Sequence, residues 1–122
     1  MTWSFQPILV EPEITLTKWA AFDVPLIGET QPWTRHFVGY SKELGEGQCT
    51  TPVIVFDPVR GLGKTKTGRV YRLEGAPGNS MPGKLVWARW KSLNKVATEK
   101  DATDEVLDLL VTWPVATTQE AA

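Results

Sequence analysis

The sequence predicts an α+β fold: a twisted antiparallel β-sheet or small open barrel of about five strands, followed by one or two C-terminal helices. Three observations carry that prediction. Over residues 8–75 the apolar residues fall in short β-branched and aromatic runs without a helical period, Pro52-Val-Ile-Val-Phe56 being the strongest. The stretch EGAPGNSMPG, Glu74 to Gly83, then places three glycines and two prolines in ten residues, which marks a boundary. Beyond it, over residues 84–113, apolar side chains recur at helical spacing. A chain of 122 residues is read as one domain, 1–122, able to bury a modest core.

In chain order, Ile8-Leu9-Val10 lies between Pro7 and Pro12 and reads as an extended arm or edge strand. Ile14 to Val24 is the first strand, with Ile14, Leu16, Ala20, Phe22 and Val24 expected on one face and Lys18 as the exception. The proline- and glycine-containing PLIGETQP is a loop, and WTRHFVGY, Trp33 to Tyr40, is the second strand. Gly39 within it marks a bulge or a close approach of backbone. Ser41 to Gly47 is polar and reads as a loop. Pro52 to Phe56, Lys64 to Thr67 and Arg69 to Leu73 form a three-strand antiparallel meander, broken at Asp57-Pro58 and turned at Thr67-Gly68. Tyr71 and Leu73 share one face of its last strand, Val70 and Arg72 the other.

The segment KLVWARWKSLNKV, Lys84 to Val96, reads as a helix with Val86, Trp90, Leu93 and Ala97 on its apolar face and Trp87 at the edge of that face. Lys84, Ala88, Lys91 and Lys95 fall opposite. A strand is the rival reading. A second helix starts near Asp101 or Thr103, with Asp104 and Glu105 in the first turn, where they favour the helix dipole. Its face is Val106, Leu107, Leu110 and Trp113, and Pro114 ends it. Residues 115–122 are expected as a flexible tail.

Composition narrows the functional classes. One cysteine, Cys49, excludes an internal disulfide and fits a reducing compartment. No signal-peptide pattern or apolar span of membrane length is evident, so a cytoplasmic protein without membrane contact is expected. The net charge of −1 is unevenly spread. It divides as −4 over residues 1–57, +8 over 58–95 and −5 over 96–122. A basic middle between acidic ends suggests a binding surface; the alternative is that the acidic C-terminal segment lies over it.

No constellation of catalytic or metal-binding type stands out. The single histidine, His36, and Cys49 form a conceivable nucleophilic pair if their strands are neighbours; otherwise they are a solvent-face histidine and a half-buried thiol. Gly61-Leu62-Gly63-Lys64-Thr65 has part of a phosphate-binding loop, but Pro58 stands where the first glycine is needed and the following residues are strand-like. Glu11 with Glu13, and Glu43 with Glu46, read as solvated surface. No cofactor, metal or catalytic residue is assigned.

The candidate binding residues are Arg60, Lys64, Lys66, Arg69 and Arg72 from the basic meander, with Trp87, Trp90 and Lys91 from the first helix. Lys64 and Lys66 are expected on one strand face, close to Arg69 across the turn. Of six tryptophans, Trp19 and Trp33 are read as structural, while Trp87 and Trp90 are candidates for a surface. The expected function is that of a non-enzymatic interaction protein with a protein partner. One form of it is a phage- or plasmid-type inhibitor of a larger nucleic-acid-handling enzyme. The alternative is direct nucleic-acid binding by the same ridge.

Overall fold

The computed structural model describes residues 3–112. In chain order they form β1 (Ser4–Phe5), β2 (Ile14–Val24), β3 (Thr34–Ser41), β4 (Glu46–Cys49), β5 (Val53–Asp57), β6 (Leu62–Thr65), β7 (Val70–Leu73), α1 (Met81–Leu93), β8 (Lys100–Asp101) and α2 (Thr103–Thr112). The strands make one open, mostly antiparallel sheet in the order β1-β5-β6-β7-β2-β3-β4, with β8 also on β2. The α+β class is as the sequence predicts. The sheet is larger than five strands and does not close into a barrel.

The β5–β6–β7 meander is antiparallel throughout, as expected. The buried Asp57 carboxylate shapes its first turn, accepting hydrogen bonds from the Val59 and Arg60 amides at 3.1 and 3.2 Å. Strand β6 starts at Leu62, two residues earlier than the sequence suggests. Gly63 fits there because Phe37 presses on it: a Cβ at Gly63 would lie 2.6 Å from the Phe37 ring. Two pairings are parallel, β1 with β5 and β2 with β7. The second joins the meander to the β2–β3–β4 unit in mid-sheet.

Strand β2 has the predicted bounds but not the predicted single face. Its register against β3 slips between Thr17 and Ala20, and Lys18 there has a φ of 48°. The extra residue reverses the alternation. Ile14 and Leu16 face the main core before the bulge, Trp19 and Ala21 after it, and Phe22 and Val24 turn toward α1. Gly39 lies opposite the bulge, where a Cβ would meet Thr17 O at 3.0 Å. The close approach anticipated at Gly39 is therefore real.

The main core joins Trp3, Leu16, Trp19, Phe37, Val53, Phe56, Tyr71, Leu73 and Val106. Trp3 stacks on Phe56 with ring centroids 4.6 Å apart. Strand β3 is covered on both sides, by this core and by α1, which packs on β3 and β4. At the end of the core Arg35, nearly fully buried, binds Asp23 on β2 and Glu105 on α2 and lies 4.7 Å over the Trp3 ring. Burial opposes its charge, but the two carboxylates prevail and the Arg35 pKa is raised.

Helix α1 begins at Met81, capped by the Ser80 hydroxyl accepting from the Gly83 amide at 3.1 Å. Its buried residues are Gly83 and Trp87. The apolar face named from the sequence is corrected here: Leu93 is 75% exposed, and Lys91 shares the buried side through Trp87. The backbone contact of Gly83 with Gly39 sets this orientation, not the apolar period. Helix α2 matches its predicted start and acidic first turn, and Val106, Leu107 and Leu110 pack on the core. Trp113, Pro114 and the tail 115–122 lie outside the described residues.

Candidate functional site

The basic meander does not stand alone. The chain between β1 and β2 crosses one face of β6 and β7, the side carrying Leu62 and Val70. Ile8 is buried against those two residues, so the extended arm forms, while the strand of this region lies earlier, at Ser4–Phe5. The Ile8 amide donates to Asp57 Oδ2 at 2.9 Å, and Arg60 donates to the Ile8 carbonyl. At the far end of the crossing the Glu13 amide donates to the Val70 carbonyl at 2.9 Å. Between these anchors Leu9 and Val10 are exposed.

The arm brings two carboxylates with it. Glu11 sits 3.6 Å from Arg60 and Glu13 4.0 Å from Arg69. Part of the positive charge is thus met internally, as the alternative reading of the charge pattern held: the N-terminal arm meets Arg60 and Arg69, and the described C-terminal segment meets Lys91 of α1. Within the described C-terminal segment, Glu99 and Glu105 serve Lys91 and Arg35.

The five basic residues do not form a single ridge. Lys64 pairs with Val70 in register, and Arg72 with Leu62, so both share the side crossed by the arm. Lys66 is exposed in the turn after β6. Arg69 is on the side of Tyr71 and lies across the hairpin from Thr65, not beside Lys64. Burial pushes the Tyr71 hydroxyl pKa up, and Arg69 acts against that shift. Lys64, Lys66 and Arg72 have no ion pair among the described residues, and Arg72 Nε is buried without an acceptor there. Exposed Ile54 and Val59, from β5 and its turn, add apolar surface nearby.

The α1 candidates lie elsewhere, over β3 and β4. Trp87 is 4% exposed, and its indole donates to Glu99 at 2.9 Å. It is a packing residue and not an open stacking platform. Trp90 is half-buried, stacked on Trp87 at 5.0 Å and tilted against His36 at 4.6 Å. Lys91 is held by Glu99 at 2.6 Å. Trp19 is fully buried with its indole on the Gly75 carbonyl, a core role as expected.

His36 is buried too, which corrects its placement on a solvent face. Its Nδ1 lies 2.7 Å from the Thr50 carbonyl and its Nε2 2.8 Å from the Thr34 hydroxyl, so neither nitrogen is left for a thiol. Burial lowers the His36 pKa and pushes Cys49 up to about 11, the reverse of what thiolate chemistry needs. Gly61 to Thr65 forms a turn and strand with no helix after it, so no helix N-terminus faces a phosphate. Among the described residues no group of three or more His, Cys, Asp or Glu side chains could hold a metal ion, and no helix is long and apolar enough to cross a membrane. The sequence missed the arm's part in the site, although Glu11 and Glu13, flanking Pro12 in an extended segment, were its visible signal. Compared with known families, curated proteins and solved structures, the chain finds no match in any of the three.

Proposed function

We propose that the chain is a non-enzymatic interaction protein whose meander face, Lys64, Lys66 and Arg72 with Arg60 at one end and Arg69 beyond the opposite edge, binds an acidic surface on a protein partner. The observation that carries this reading is the mixture of surplus basic charge and exposed apolar residues on one part of the sheet: Lys64 and Lys66 without ion partners, beside exposed Leu9, Val10, Ile54 and Val59. Charge selects and steers a partner, and apolar contact holds it. Direct nucleic-acid binding is the second reading. It needs aromatic platforms beside the basic groups; of the candidates for that task Trp87 and Trp90 belong to α1, and Tyr71 on the meander is buried. An inhibitor of a nucleic-acid-handling enzyme is a poorer fit. The working surfaces of such enzymes are themselves basic and would repel this face. The lone, half-buried cysteine supports a cytoplasmic setting.

The test is a titration of the purified protein with a labelled glutamate-rich peptide and with labelled single- and double-stranded DNA and RNA, across a salt series. The paired change Lys64→Glu, Lys66→Glu is expected to weaken peptide binding at least about tenfold, as loss of two charge contacts would. Tight nucleic-acid binding, with a salt slope that drops by about one per phosphate contact removed, would overturn the protein-binding reading.

A further inference from the structure

We infer that the partner meets this face as an extended acidic segment, and that its carboxylates take the place of those of the chain's own Glu11 and Glu13 against Arg60 and Arg69. The inference rests on the protein-binding reading above and adds the form of the ligand. The arm is an internal example of that ligand. It is extended, carries two carboxylates with Pro12 between them, and runs with Glu11 toward Arg60 and Glu13 toward Arg69. Both contacts are loose, at 3.6 and 4.0 Å, and the Glu11 and Glu13 side chains are 83% and 62% exposed. Ion pairs of that kind exchange readily. The backbone anchor at Ile8 is firmer, because Ile8 is buried and its amide is held by Asp57. The carboxylates can therefore leave while the arm stays attached.

The experiment compares three proteins in titrations with the glutamate-rich peptide at 0.15 M salt: the native chain, Glu11→Gln with Glu13→Gln, and Glu29→Gln with Glu46→Gln. The last pair removes the same charge from exposed positions away from the arm. Freeing Arg60 and Arg69 from two exposed pairs is expected to tighten binding about fivefold in the first variant. The control is expected to stay within about twofold, since distant exposed charges are screened at this salt. Equal affinity in all three proteins overturns the inference while leaving the protein-binding reading intact. Equal tightening in both variants overturns it as well, because net charge alone then explains the gain. If no protein binds the peptide, and Lys64→Glu with Lys66→Glu changes nothing, the protein-binding reading falls and takes this inference with it.

Discussion

His36 shows how strongly one residue can be set by its surroundings. The Thr50 carbonyl can only accept, so Nδ1 carries the proton and the Thr34 hydroxyl donates to Nε2. A second proton would have to be placed in a site closed by Trp87 and Trp90. The folded pKa lies below the ordinary histidine value, so the unfolded chain takes up the proton first as pH falls. The stabilisation is complete above about pH 6.5 and is lost as pH drops toward the folded pKa, by about 1.4 kcal/mol for each unit of depression. Urea midpoints measured between pH 7.5 and 5.0 should decline in that window, and a flat profile would refute the assignment. The sequence could not reveal this burial. Alternation assigns His36 to a face, but whether that face is wet depends on a helix that arrives some fifty residues later.

At the scale of elements, the seating of α1 on the sheet depends on missing side chains. A Cβ at Gly47 would stand 2.2 Å from the Pro82 carbonyl oxygen, and one at Gly83 would stand 2.9 Å from Gly39 O. Gly47→Ala should therefore destabilise by about 3 kcal/mol through forced separation of β4 and α1. Gly68→Ala is the comparison. Its φ of 95° is unfavourable, but nothing lies within 4 Å of the added carbon, so a loss of about 1 kcal/mol is expected. Chemical denaturation of the two variants checks the difference. This packing explains which elements were legible. The bounds of β2 and the first turn of α2 follow from local composition, and both were readable. The buried face of α1 was not, because glycine contacts chose it and left Leu85 and Leu93 outside. Strand β4 reads Glu46-Gly-Gln-Cys, with no strand propensity of its own; it pairs because β3 precedes it by a tight turn. The N-terminal arm was recognised as extended, but its course over the meander is a long-range fact that no local pattern encodes.

For the whole molecule, Arg35 ties together β2, β3, α2 and the Trp3 ring. Its pairing with Asp23 is bidentate at 2.7 Å for both bonds, and its own side chain is 5% exposed. Arg35→Ala should cost about 3 kcal/mol, since it strands Asp23 in a partly buried position. Removing Lys42 from its exposed pair with Glu74 should change stability by no more than about 0.5 kcal/mol. Calorimetric unfolding of both variants tests that ordering, and similar losses would show that Arg35 is not the common fastening. Charge counting along the chain located the basic middle correctly. It could not show that Glu11 and Glu13 reach it, or that Arg69 turns away from Lys64, because both follow from where β2 joins the meander.

That junction has a consequence for how the chain reaches its final form. Strands β5–β6–β7 are linked by short turns, and β2–β3–β4 by the loop 25–33 and a short turn, so each unit can assemble from neighbours in sequence. The parallel bond between β2 and β7 brings Ile14 beside Tyr71, and it cannot form until both units exist. During synthesis β2 therefore emerges well before the strand that will cover its edge, and such non-local pairing is costly in loop-closure entropy.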